Sequence, residues 1–413
     1  MMKGNDMSGR WLSIVGIGED GKAGLSASAI ALVETAELVI GGKRHLDLFG
    51  ATRGEQRVWP VPLDAIVPEI LARRGRPVAV LASGDPFWFG AGVTLARSIP
   101  AEDMLVVPAP SSLSLAASRM GWALQDTVTL GLNMRGLTPL IRRHLHTGRK
   151  ILALSLNGET PREVANLITQ AGFGPTRLTV LEALGGPRER MRTTTAEAFG
   201  LEATGPLNII AADVVAGPDA KPLAYASGLD DAHFENDGQL TKREIRAVTL
   251  SALSPRPGDL LWDVGLGSGS VAIEWLLAHP ANRAIGLERD PMRAARAARN
   301  AISLGVPHLD IRGGAAPEGL AGLPAPDAIF IGGGAASPGV IPAAWDALKP
   351  GGRLVVNGVT LETDAVLIAA HAQFGGNLTR ISIDRAAPVG TRFGWRPAMP
   401  VMQWSACKPG ETS

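Results

Sequence analysis

The 413-residue chain holds a single cysteine, Cys407, and a single tyrosine. One cysteine excludes an internal disulfide framework and any Cys-rich zinc or iron–sulfur site, and it suits a reducing compartment. Neither sign of charge prevails. Forty basic side chains against 39 acidic ones leave +1, so no global field draws nucleic acid or an anionic membrane. Aromatic residues make up only 5%, which leaves few platforms for stacking bases. No stretch approaches the 18 apolar residues of a membrane helix. The apolar run 11–15, after a polar start over residues 1–10, is too short for a secretory signal core. These absences lead us to expect a cytoplasmic protein with no membrane and no nucleic-acid partner.

What the chain does have is core-forming material: 46% hydrophobic against 19% charged residues. Its length suggests two or three domains. Apolar runs of strand length at 11–15, 78–82, 104–107, 151–154, 178–181 and 207–211 alternate with helix-period stretches at 26–38, 63–74 and 161–171. The pattern argues α/β architecture. It lapses into Gly217-Pro218-Asp219-Ala220, which sets a boundary near residue 220 and predicts domains over 1–220 and 221–413. The second half restarts with a helix at 242–253. Strands follow at 260–264, 284–287, 328–331 and 354–357, with helices at 270–278, 291–303 and 340–348 between them. Two late β-rich stretches, 378–383 and 401–407, have no helix between them and predict an antiparallel pair at the edge of a parallel sheet.

The second half carries Asp263-Val264-Gly265-Leu266-Gly267-Ser268-Gly269 where a strand meets a helix. Glycine lets backbone approach a ligand closely, and a helix start offers free N–H groups. Nineteen positions after Gly269 the next strand ends at Glu288, a carboxylate suited to two ribose hydroxyls. A nicotinamide-binding G-x-G-x-x-G would place its third glycine one position later. The pattern D-x-G-x-G-x-G with a downstream acid resembles the class I S-adenosylmethionine-dependent methyltransferases, whose Rossmann-like fold it implies. Thr241 to Arg246, Gly314-Ala315-Ala316-Pro317 and Asp327 to Gly334 extend the resemblance to the C-15 methylases and decarboxylases of corrin synthesis, over about residues 228–407. By that resemblance Thr241, Gly265, Gly267, Ser268, Gly269, Glu288 and Ala316 line the S-adenosylmethionine site, and Asp263 helps to orient its ammonium. Ala315 departs from the Asp that family members often have there.

In the first half, Gly16-Ile17-Gly18-Glu19-Asp20-Gly21 also matches G-x-G-x-x-G after a strand. Glu19 and Asp20 would set negative charge against a pyrophosphate, and Gly24 stands where a stable helix should run. Three pieces in order, Val15 to Gly18, Ser83-Gly84-Asp85-Pro86-Phe87-Trp88-Phe89-Gly90 and Pro108-Ala109-Pro110-Ser111-Ser112, instead resemble the tetrapyrrole methylase family, the class III methyltransferases. The match covers about residues 11–215. It implies that Gly84, Asp85, Pro86, Ser111, Ser112 and Asn157 contact S-adenosylmethionine, and that the first glycine loop lies by a tetrapyrrole trough.

Two such halves in one chain resemble the fused corrin methylases, which implies one S-adenosylmethionine per domain and a small-molecule tetrapyrrole substrate. It also implies methylation at C-5 and C-15 with loss of a ring acetate's carboxyl group, and a homo-oligomer, dimer or tetramer. The competing reading is a methyltransferase acting on another small molecule or on nucleic acid, with one half serving as a scaffold. Methyl transfer from a sulfonium needs alignment rather than a metal or a covalent residue, so no metal site is expected. A polycarboxylate substrate calls for basic side chains at the rim. The candidates are Lys242, Arg246, Arg385, Arg392 and Arg190, with Arg243, Arg396, Arg135, Arg188 and Arg192 behind them. No catalytic base is identified; Glu182 and Glu274 are only guesses.

Overall fold

The structure, a computed structural model, describes residues 9–410, so most of the polar start lies outside it. The chain forms two α/β units. The first comprises the chain up to Thr138 together with His144–Ala220, and the second comprises Pro139–Arg143 together with the chain from Lys221 onward. Among the described residues no helix is long and apolar enough to cross a membrane.

The first unit contains two five-stranded sheets. One is wholly parallel, in the order Glu55–Val58, Leu38–Gly41, Val78–Ser83, Leu12–Ile17, Met104–Val107. Leu12–Ile17 is buried at every residue, as a strand covered on both faces must be. Alternate side chains feed two cores: Leu12 and Ile14 join Val78 and Val80, while Val15 and Ile17 join Ala79 and Leu81. The second sheet is mixed, in the order Thr127–Leu132, Lys150–Ser155, Asn208–Asp213, Arg177–Glu182, Arg190–Thr195.

The second unit has a seven-stranded sheet in the order Asp310–Gly313, Arg283–Glu288, Leu260–Val264, Ala328–Ile331, Arg353–Gly358, Val401–Cys407, Asn377–Ile381. The first five strands are parallel and the last two pair antiparallel. Leu261 and Phe330 pack under Arg243–Leu253, Ser270–Ala278 and Pro291–Ser303, while Leu260, Trp262 and Ile329 pack under Val340–Ala347 and Leu361–Phe374. The helix Pro291–Ser303 starts where its sequence demands. Pro fills the first position, and Asp290 Oδ1 accepts from the Met292 N–H at 2.8 Å. From the chain's first half, Pro139–Arg143 packs into this unit: Arg143 Nη2 donates to the Leu277 carbonyl at 2.7 Å, and Arg142 is buried beside Gly305.

The late strands pair antiparallel, as the sequence pattern predicts. The stretch between them adds a separate exposed hairpin, Asp384–Val389 with Arg392–Pro397. The predicted helix 26–38 ends at Glu34, and Leu38–Gly41 is a fully buried strand. The segment Gly21–Gly24 is only a 3₁₀ turn; the helix after it begins at Ala27 with Ser26 as its cap. No long helix start faces the first glycine loop, which agrees with setting the dinucleotide reading aside.

Candidate functional site

Each unit carries one large cleft at the carboxyl ends of its strands. In the second unit the cleft, about 850 Å³, opens where strand order reverses between Leu260–Val264 and Ala328–Ile331. That reversal is the usual ligand crevice of an open parallel sheet. Gly265 turns there at φ +76°, and a Cβ on it would lie 3.0 Å from the Gly333 amide nitrogen, so the two strand ends approach at glycine distance. Glu288 Oε2 accepts from the Gly267 N–H at 2.8 Å and Oε1 from the Asp290 N–H at 3.0 Å. These bonds fix the carboxylate against the glycine turn while each oxygen retains a lone pair.

Asp263 is 1% exposed and lines the same cleft. Its Oδ2 accepts from the Ala272 N–H at 3.1 Å, while its Oδ1 is buried without a partner. Burial pushes its carboxyl up to about 7, and the charge of Glu288 acts in the same direction. A buried carboxyl with an oxygen that no protein group satisfies suits a ligand group that donates hydrogen bonds or carries positive charge.

The first unit's cleft, about 780 Å³, draws its walls from both sheets. A Cβ on Gly16 would lie 1.9 Å from the Gly84 carbonyl oxygen and 2.6 Å from the Ala109 nitrogen, so three separated sequence pieces meet at contact distance. Ser111 Oγ accepts from the Ser114 N–H at 3.0 Å and caps the helix Ser112–Met120, which leaves backbone facing the cleft. Trp59, Trp88 and Phe89 form an aromatic wall. Phe89 holds φ +56°, an uncommon backbone state for a bulky residue. On the floor, His45 Nε2 lies 2.8 Å from Ser83 Oγ, and Arg44 bonds both Ser83 and Glu19. Burial and the adjacent Arg44 charge depress His45 to about 4, so its imidazole is neutral near pH 7.

Of the residues expected at cofactor, Gly84, Ser111 and Ser112 line the first cleft, and Thr241, Gly265, Gly267, Ser268, Glu288 and Ala316 line the second. Four do not line either. Asp85 folds its Oδ1 back onto the Phe87 N–H at 2.8 Å, and Pro86 is buried beneath that turn. Asn157 Oδ1 accepts from the Glu159 and Thr160 N–H groups and so caps a helix. Gly269 packs against Ala297 and Ile273 as the cap of Ser270–Ala278.

Of the rim cations, Lys242 and Arg385 line the second cleft. The expectation for Arg246 is corrected: it is fully buried, bonded to Glu274 and Asp231, and cannot meet a ligand. Arg190 lies outside the first cleft and forms a two-pronged pair with Glu182, both bonds 2.8 Å. Arg392 sits on the exposed hairpin, away from the cleft lining. Neither guessed base faces a cleft, because Glu182 is held by Arg190, Arg192 and the Gly205 N–H, and Glu274 by Arg246 and the N–H groups of Gly228 and Leu229.

Several cleft residues escape the sequence reading. Arg44 and His45 follow the strand Leu38–Gly41, which the sequence pattern does not predict and which the predicted helix 26–38 meets only at its first residue. Trp88 and Phe89 stand inside a quoted motif but are hydrophobic, so they read as core. Arg289 directly follows the strand Arg283–Glu288, Arg293 lies in the first turn of the next helix and Asn357 is the penultimate residue of Arg353–Gly358; closeness to a strand's carboxyl end is the signal that could have found them.

Comparison with known proteins finds two family models that match the chain. The family model for tetrapyrrole (corrin/porphyrin) methylases matches residues 12–200, and the model for the precorrin methyltransferase domain matches residues 232–408. A Sinorhizobium protein named precorrin-6Y C(5,15)-methyltransferase [decarboxylating] is 56% identical over 96% of both chains. A protein of that name from Mycobacterium tuberculosis is 39% identical over 96% of this chain and 99% of its own. The solved C-terminal domain of precorrin-6Y C5,15-methyltransferase from Rhodobacter capsulatus is 44% identical, covering 45% of this chain and all of that one, with a TM-score of 0.43.

Proposed function

Because the chain belongs to the precorrin-6Y C(5,15)-methyltransferase (decarboxylating) family, we propose that each of its two clefts binds one S-adenosylmethionine and serves a separate methylation in cobalamin biosynthesis. The first unit methylates C-5 of the tetrapyrrole. The second methylates C-15 and removes the carboxyl group of a ring acetate. Full-length similarity to named two-activity relatives is the observation that supports this reading most directly.

The residues of the second cleft fit the donor. The buried, unpartnered Oδ1 of Asp263 suits its ammonium, the open space beside Gly267, where a Cβ would meet nothing nearer than 3.9 Å, leaves room for its chain, and Glu288 suits its ribose. The first cleft brings Gly84, Ser111 and Ser112 together in its lining, the small residues that leave space for the donor there. When bound, the sulfonium supplies an electrophilic methyl. The protein's own work is then to hold a nucleophilic macrocycle carbon about 3–3.5 Å from that methyl and in line with it. Trp59, Trp88 and Phe89 offer the first cleft apolar aromatic surface for the macrocycle. Lys242, Arg289, Arg293 and Arg385 offer the second cleft cations for its carboxylates. The reading includes a cytoplasmic homo-oligomer, dimer or tetramer.

The test is mass spectrometry of precorrin-6B incubated with the protein and S-adenosylmethionine. We expect a gain of two methyl groups and a loss of one CO₂ to give precorrin-8X. An unchanged substrate mass, with donor binding verified by calorimetry, would refute the assignment.

A further inference from the structure

In the second unit three neutral polar side chains form a hydrogen-bonded ring between Arg243–Leu253, Arg353–Gly358 and Val401–Cys407. Thr249, on Arg243–Leu253, is 0% exposed, and Gln403, on Val401–Cys407, is 5% exposed. Asn357, near the end of Arg353–Gly358, lies directly across from Gln403 in the antiparallel register and reaches the cleft. Thr249 Oγ donates to the Ile245 carbonyl at 2.8 Å, so its oxygen can only accept from its other neighbours. It receives Asn357 Nδ2 at 2.9 Å and Gln403 Nε2 at 3.2 Å, and Gln403 Nε2 also donates to Asn357 Oδ1 at 2.9 Å. The hydroxyl thereby dictates which way the Asn357 amide points. One N–H and one lone pair of that amide are left for the cleft.

Register places this residue in the same row of strand ends as the glycine turn. Val264, Ile331 and Val356 are partners across three parallel strands, so Gly265, Gly332 and Asn357 form the next row at the strand ends. Two strand spacings put Asn357 about 10 Å from the glycine turn, a span one tetrapyrrole can bridge.

Resting on the reading of this cleft as the site of methylation and decarboxylation, we propose that Asn357 binds the acetate carboxylate that leaves as CO₂, and that Thr249 and Gln403 are positioning residues for its amide. In the step, the C–C bond to the carboxyl carbon breaks and CO₂ departs. The bonding pair enters the macrocycle, made cationic by methyl transfer. The exocyclic carbon then takes a proton from water, which balances the proton released from the methylated carbon. A cation at this carboxylate would stabilise the reactant more than a transition state in which charge leaves it. A fixed neutral amide orients the group without that penalty. The rim cations suit the carboxylates that stay.

The test uses the full-length protein with precorrin-6B and S-adenosylmethionine, resolving methyl gain and CO₂ loss by mass. Asn357→Ala should slow decarboxylation at least tenfold and methylation less than threefold, so that a methylated product retaining its carboxyl accumulates. Thr249→Val should change the product ratio in the same direction, and Thr249→Ser should restore it. The isosteric Asn357→Asp serves if the alanine variant loses donor binding, and it should suppress decarboxylation more strongly. Unchanged product ratios in these variants, or equal loss of both activities with donor binding intact, would overturn the assignment of Asn357 alone. A wild-type protein that neither methylates nor decarboxylates the substrate would overturn the functional reading and this proposal together.

Discussion

The two clefts are alike in size and differ in what lines them. The first presents three aromatic rings and a single arginine, already held by Glu19. The second has Phe330 as its one aromatic ring, together with four cations and the carboxylates Glu244, Asp263 and Glu288. The contrast is one of chemistry: the first cleft offers aromatic surface and the second charged groups of both signs. The acids in the linings differ as well. Glu19 in the first is paired with Arg44, whereas Asp263 in the second is buried with one oxygen that no protein group satisfies.

The sharpest way to break this comparison is Glu288→Ala. Losing two charge-assisted bonds to the donor should weaken the second cleft about 100-fold and leave the first unchanged. Calorimetry on the full chain should then count one donor site instead of two. Loss of both sites would mean that the clefts are not independent.

A second distinction lies in pH. The carboxyl of Asp263 is raised to about 7, and an ammonium pairs with its ionised form. Donor affinity in the second cleft should fall about tenfold per pH unit below 7. The first cleft should stay flat between about pH 5.5 and 8, because His45 titrates near 4. For the unliganded fold the sign is reversed. A raised carboxyl stabilises the folded state at low pH, and that contribution is lost as pH rises from the ordinary carboxylate range through 7. Asp263→Asn should flatten this decline, as urea melts at a series of pH values would reveal.

Smaller effects refine the linings. Trp88→Ala should raise the KM of the C-5 methylation about five- to tenfold, the value of one aromatic contact, without touching decarboxylation. Arg392→Ala should change either activity less than twofold, since its side chain projects from the hairpin rather than into the cleft.

Much of the layout was legible because it depends on local pattern. Strands such as Leu260–Val264 and Ala328–Ile331 are unbroken apolar runs, and Gly265 and Glu288 sit at strand ends where chemistry collects. Leu38–Gly41 was not legible, because four apolar residues after a helix continue the helical period; only tertiary burial separates them. Arg246 misled for a similar reason. An arginine near a loop reads as a rim charge, and only the fold brings Glu274, 28 residues away, within 2.5 Å. Asn357 carries no charge and belongs to no quoted motif. Its significance comes from Thr249 and Gln403, residues 108 and 46 positions away.

The segment Pro139–Arg143 makes the second unit discontinuous in sequence. Splitting the gene at Ala220 would therefore yield a downstream polypeptide missing the peptide that supplies hydrogen bonds to the Lys221 and Leu277 carbonyls. In a separated downstream half those two carbonyls would have to be satisfied by water instead of by the arginines.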